Sequence, residues 1–538
     1  MTMVPRFDKP ARRLWQLVVL ALALVFGANS LAAQTGDAAS CVSTSEPCRD
    51  VACYVSPCYV SPCYVSAPQA QPQQQKPPAS AEPQTKITPE QAQQLFRSVD
   101  EILKFASKDT KLPIKNPVKR ELAGREQVRK FVETHMHEDK DAQRLQRSEA
   151  SMKKFGMLPA DFDLGKFLLD LLEDQVAGYY DPKTKTVYLL DWVSPEAQRP
   201  VLAHELTHAL QDQNFDLDKW LKVSGDDQSD NPDNLDTGDD EAQAARQAVS
   251  EGQGMAVMMD YVLEPTGHSL ADTPSAGEIF KQNTMDHAGD SPIFANAPMY
   301  LREMVIFPYT YGLSFLEDLL TRGGSEMAFA GAFKNPPHDT REIMQPESYL
   351  DGQHVDPIRL PKLSDVLKKN YVGYDSGSVG EFDVYILLKQ YSGAELADTL
   401  STAWRGGVYY LGRKKDSQPP KPGAPPPLSD LGLLYVSNWA TPEDAGYFAK
   451  VYGLWLPKKY KSVKPVAEQK GRAWTTEQGP VSIEVAGDRV LVMEGFDPAT
   501  TAAVRAKVLS PSPNTSQWTP PPRRDLAAPV WATLGILH

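Results

Sequence analysis

The chain reads as a mainly α protein of the α+β kind, and three observations point there. Apolar residues recur at helical spacing through most of the chain. One segment, 178–190, breaks that period with aromatic and β-branched residues around an Asp-Pro turn. A second, 481–493, alternates apolar and polar residues near the C-terminal end, as a small hairpin does.

The elements follow in order. Residues 1–33 carry a basic flank (Arg6, Lys9, Arg12, Arg13), an apolar run over 14–26 and small residues up to Ala33. This is the pattern of an export signal peptide, and the run is short for a bilayer span; cleaved or retained, it makes the protein secreted or periplasmic, or anchored at its N-terminal segment. Residues 34–86 are rich in Gln, Pro, Ala and Ser and hold all five cysteines. Cys53, Cys58 and Cys63 recur inside repeated Cys-Tyr-Val-Ser-Pro units, without a Cys-x-x-Cys pair. That stretch is expected to be a disordered linker rather than a zinc module.

Folded structure is expected from Ile87, where Thr88-Pro89-Glu90 has the composition of a helix start. Helical patterns follow over 95–103, 120–151 and 164–175, then the hairpin. Ser194-Pro195-Glu196 opens another helix, with a break expected before Pro200. An acidic Gly/Asn/Pro-bearing stretch, 225–240, reads as an exposed loop, and its spacing does not match a calcium loop. Further helices are expected over 240–263, 301–320, 326–333, 379–390 and 441–452. The organisation expected from this is 87–370 as the main domain, 371–465 as a helical extension packed on it, and 466–538 as a small β-containing segment with a Pro-rich tail. The net charge of −13 argues against general nucleic-acid or anionic-membrane binding, and no later segment looks membrane-spanning.

The chemistry-bearing motif is His204-Glu205-Leu206-Thr207-His208. On a helix, residues i and i+4 share a face, so two imidazoles converge on one cation with Glu205 beside them. A zinc ion held there activates water, and a carboxylate in the place of Glu205 takes and delivers the proton. A catalytic zinc needs a third protein ligand. Glu251, in Ala248-Val-Ser-Glu-Gly-Gln-Gly-Met-Ala256, is the leading candidate, with Gly252 and Gly254 permitting close helix packing; Glu241 is the runner-up. Tyr309, Tyr311 and His338 are candidate donors to a developing oxyanion. Trp404, Tyr409 and Tyr410 fit either a substrate-facing loop or packing.

The segments Ala177-Gly-Tyr-Tyr-Asp-Pro-Lys-Thr-Lys-Thr-Val-Tyr188, Leu202-Ala-His-Glu-Leu-Thr-His-Ala-Leu-Gln-Asp-Gln213 and 248–256 resemble an uncharacterised bacterial zinc-dependent metallopeptidase-like family, and more distantly the glutamate-ligand zincins (gluzincins). Weaker likeness extends to 307–312 and 336–349, over residues 90–400 in all. The resemblance implies a zincin-like metallopeptidase core with a small β-sheet and an expanded helical region. It implies Zn2+ on His204, His208 and Glu251, Glu205 as general base, and an edge strand within 179–188 above the metal helix. A peptide or protein is then the substrate. Where thermolysin-like chains place an acid one turn beyond the third ligand, this chain has Met255, so either support for the histidines comes from Asp260 or Asp212, or the site is tuned differently. The competing account is a noncatalytic envelope or secreted binding protein that retains a zinc-site scaffold.

Overall fold

The computed structural model describes residues 86–136, 139–175, 178–221, 240–273, 278–280, 282, 291–355, 358, 360–418, 425–469 and 472–509. The segments read as signal or anchor, the linker with its five cysteines, the acidic stretch up to 239 and the tail beyond 509 lie outside the described residues.

Helix α1 (Pro89–Thr110) starts with a reciprocal cap: Thr88 Oγ1 accepts from Gln91 N–H, and the Gln91 side chain accepts from Thr88 N–H. Strand β1 (Lys119–Ala123) follows, then α2 (Arg125–Met136), α3 (Asp139–Phe155) and α4 (Leu164–Gln175). The helical reading of 120–151 is corrected at its start. Arg120 to Ala123 form a strand, because Leu122 and its neighbours pair in parallel with the hairpin rather than completing a helix face. The hairpin itself is present as β2 (Tyr179–Asp181) and β3 (Thr186–Leu190), and the sheet order β1-β3-β2 leaves β2 at one edge.

Helix α5 (Pro195–Phe215) carries the His204-Glu205-Leu206-Thr207-His208 motif. Ser194 caps its start and Pro195 occupies the first turn, where a missing N–H is harmless. The expected break at Pro200 does not occur; the helix runs through it. Gln198 locks α5 to the sheet. Its amide accepts from Leu190 N–H and donates to the carbonyls of Leu190 and Val193, extending β3 as a strand would. Helix α6 (Asp240–Leu263) lies beside α5, and α7 (Met299–Glu326) lies beside α6, while α1 covers the other side of α5. The α6–α7 crossing rests on two glycines: a Cβ at Gly252 would sit 2.3 Å from the Gly312 carbonyl carbon, and one at Gly312 would sit 2.1 Å from the Ala248 oxygen. A π-helical turn, Met327–Gly331, continues α7, and a one-turn helix α8 (Thr340–Met344) follows.

The region expected to be a helical extension is corrected most. Helices α9 (Glu381–Ser392) and α10 (Pro442–Lys459) are there, but strands β4 (Tyr371–Ser378), β5 (Trp404–Lys414) and β6 (Leu431–Trp439) alternate with them. They join β7 (Val463–Pro465), β8 (Ala473–Thr476), β9 (Gly479–Ala486) and β10 (Arg489–Glu494) in a seven-stranded antiparallel sheet. Its order is β4-β5-β6-β10-β9-β8-β7, two meanders joined where β6 pairs β10. The expected C-terminal hairpin is β9–β10, one part of that sheet. The sheet is covered on both faces. Leu431, Leu433 and Tyr435 enter the main core with Phe448, Tyr452 and Trp455 of α10; Leu434 and Val436 point the other way, against Val504 and Val508 of α11 (Pro498–Val508). The whole is a mixed α+β protein, with helices around the metal motif and most strands in the C-terminal part. Among the described residues, no helix is long and apolar enough to cross a membrane.

Candidate metal centre

Helix α5 is buried on every side from Val201 to Asp212, polar residues included. Polar groups in such a position need partners, and their partners define the site. Three ligand atoms converge. His204 Nε2 lies 3.0 Å from His208 Nε2 and 3.2 Å from Glu251 Oε2; His208 Nε2 lies 3.6 Å from Glu251 Oε2. Tetrahedral zinc with bonds of about 2.0–2.2 Å separates its ligand atoms by about 3.3–3.6 Å. The triangle therefore fits one small divalent ion with adjustments of a few tenths of an ångström.

Glu251 and His208 are each aimed by a neighbour. Gln247, one turn before Glu251, donates to Oε1 at 2.7 Å, which leaves Oε2 toward the imidazoles. His208 Nδ1 lies 2.8 Å from Gln211 Oε1. The Gln211 amide nitrogen is already donating, to Ser250 O at 3.1 Å and to Gln253 Oε1 at 2.9 Å. Gln211 Oε1 thus accepts, so His208 holds a proton on Nδ1, and Nε2 is the nitrogen left for a cation to take. Gln253 in turn donates to the carbonyls of Ala328 and Phe329 in the π-helical turn. Gly254 makes room for the other ligand: a Cβ there would lie 2.6 Å from His204 Nδ1. Gly252, by contrast, serves helix packing.

Glu205 sits beside the triangle and accepts a 2.9 Å bond from Tyr180 N–H on edge strand β2. Burial pushes its carboxyl up to about 8, against the pull of His208. Burial opposes charge on His208 as well, yet the Glu251 carboxylate outweighs it and holds that imidazole up to about 9. The pocket between the two imidazoles and the carboxylate is thus a place that favours positive charge. All four groups are buried, with His204 and Glu205 keeping 7 % and 6 % of their surface and His208 and Glu251 none.

The other expected residues divide. The Tyr309 ring lies near His204 (centroids 6.3 Å, 29°), and burial with the Glu251 and Glu205 charges keeps its phenol protonated. Tyr311, two residues on, points away toward Tyr385, Phe307 and Phe382. His338 packs against His354 and Glu342 instead. Glu241 is held by Thr340 through its backbone N–H and hydroxyl, on the first turn of α6, and does not join the triangle. Asp212 accepts from the Tyr180 hydroxyl, Lys185 and Leu217 N–H; Asp260 accepts from Leu270 N–H. These partners are not the histidines; the support for His208 comes from the Gln211 amide oxygen instead. Trp404, Tyr409 and Tyr410 lie on β5, with the Tyr409 hydroxyl on Asp375, so they pack rather than form a loop. The readable signal for Gln211 and Gln247 was their spacing: each stands one helical turn from a ligand.

A family model described as a domain of unknown function (DUF8575) matches residues 369–505. That span takes in all seven strands of the C-terminal sheet and ends before the last residues of α11; the metal motif lies outside it. No curated protein and no solved structure matches the chain.

Proposed function

We propose that the protein is a zinc-dependent metallopeptidase with a zincin-like core, acting on peptide or protein after export. The observation that carries this reading is the triangle of His204 Nε2, His208 Nε2 and Glu251 Oε2 at 3.0–3.6 Å with the Glu205 carboxylate anchored beside it. When bound, zinc supplies Lewis-acid polarisation of a carbonyl and makes water a nucleophile near neutral pH. Beside a bound cation the Glu205 carboxyl would return to its ionised form, in which it takes the proton from the attacking water and delivers it to the leaving amine. The Tyr180 N–H holds that carboxylate in place. The Tyr309 hydroxyl, kept protonated, donates to the developing oxyanion.

The second reading, a noncatalytic zinc scaffold, draws on the deep burial of all four groups. Glu205→Gln separates the two. It keeps the metal ligands and removes the proton carrier, so zinc content stays at the wild-type level while cleavage of a peptide library falls at least about 100-fold. Equal cleavage by both proteins would overturn Glu205 as the base, and no cleavage by the wild type with zinc bound would favour the scaffold.

A further inference from the structure

A second set of metal-ligating side chains lies outside that site. Glu342 is fully buried on α8, its backbone N–H held by the capping carboxylate of Asp339. Its Oε2 accepts from His338 N–H at 2.8 Å and stands 3.5 Å from His338 Nδ1. Its Oε1 meets His354 Nδ1 at 2.5 Å. The two imidazoles are edge to face with centroids 4.3 Å apart, and one ligand atom from each of the three residues lies within 4.8 Å of the others.

We propose that His338, Glu342 and His354 form a second, structural site for a divalent transition-metal ion, with zinc the favoured occupant. Two imidazoles and one carboxylate are a borderline donor set that suits zinc better than magnesium or calcium. The 3.5 Å separation of His338 Nδ1 from Glu342 Oε2 is the ligand spacing of tetrahedral zinc, about 3.3–3.6 Å. The closer His354 nitrogen has room to retreat, since its side chain is 49 % exposed. Both imidazoles ligate as the tautomer with the proton on Nε2, and water completes the sphere from the exposed side. The buried carboxylate is the fixed member, and the two histidines arrive from loops on either side of it. An ion there staples residue 338 to residue 354 and closes the segment that contains α8. Thr340, the first residue of that helix, is the one that holds Glu241 at the start of α6. The ion therefore fastens the docking of this segment onto the helix that bears Glu251.

The experiment is zinc content of the full chain by mass spectrometry after zinc loading and dialysis against a weak chelator. The double variant His338→Ala/His354→Ala is expected to hold one zinc equivalent less than wild type. The difference does not depend on occupancy of the first site, so it is read even where His204 and His208 bind nothing. Glu342→Gln, which keeps the acceptor for His338 N–H, is expected to lose the same equivalent. Zinc is also expected to raise the melting temperature of His204→Ala but not of a chain lacking His204, His338 and His354. Equal zinc content in wild type and the double variant, with unchanged circular dichroism, would overturn the site and leave two histidines hydrogen-bonded to a glutamate. Should Glu342→Gln fail to fold, the two exposed histidines decide the matter alone.

Discussion

Gly254→Ala reaches the metal centre through a single methyl group. The new Cβ would lie 2.6 Å from His204 Nδ1 and 2.7 Å from its Cε1, where ordinary contact begins near 3.4 Å. The imidazole must therefore retreat by about 0.8 Å, several times the roughly 0.2 Å by which zinc–ligand distances vary. It has little room, being nearly buried against α6 and Tyr309. Two terms oppose each other in stability. Alanine favours the helix over glycine by about 1 kcal/mol, and overpacking a filled site costs about 1–3 kcal/mol. The net is a loss of about 0–2 kcal/mol, modest beside the effect on the metal. Displacing one ligand is expected to weaken zinc binding at least about 10-fold, the scale seen when ligand orientation is disturbed. Competition against a chromogenic chelator measures the affinity, and thermal melts with and without zinc measure the stability. Wild-type zinc affinity together with the full helix-propensity gain in stability would show that the His204 ring does not lie against Gly254, and would refute the placement of that ligand.

Gln211→Leu removes the acceptor that fixes the His208 tautomer and leaves Ser250 and Gln253 short of a partner. Zinc affinity is expected to fall about 10–100-fold with the fold retained, measured by the same competition. Lys154, buried beneath the C-terminal sheet, has its pKa lowered to about 7: burial outweighs Glu494 and Glu477, and Lys459 and Lys414 add to the drop. Between pH 7 and 10 the unfolded chain then binds more protons at this residue than the folded one, so its burial penalty is full below pH 7 and relieved as pH rises. Relative to Lys154→Met, wild type should gain roughly 1–3 kcal/mol of unfolding free energy between pH 7 and 9, read from denaturant melts at each pH. A constant difference would show that Lys154 keeps its proton in the fold across this range.

The helix that carries His204 and His208 was legible because the motif is local. Two histidines four apart need only a helix to share a face, and a Ser-Pro start marked where that helix begins. The choice of Glu251 over Glu241 was not local. Both stand on α6, and what separates them is that Gln247 turns Glu251 inward while Thr340, from a distant segment, holds Glu241. Tyr309 and Tyr311 illustrate the same limit: two residues apart on one helix, they face different neighbours, and only the packing says which neighbour is His204. The strands β4, β5 and β6 were hidden by their composition. Strand β6 is buried on both faces, so Leu431 to Val436 reads as a continuous run without the alternation that marks a half-exposed strand. Gly406, Gly407 and Gly412 make β5 look like a turn, and the bulge between Gly373 and Asp375 interrupts β4. Strand β1 was absorbed into a charged helical pattern because its partner, β3, lies more than sixty residues on.

Zinc-edge anomalous diffraction from crystals grown with one zinc equivalent tests the central claim most directly. One ion is expected within about 2.0–2.2 Å of His204 Nε2, His208 Nε2 and a Glu251 carboxylate oxygen. A zinc-loaded crystal whose anomalous peaks all lie elsewhere, with those three side chains closed on one another, would contradict it.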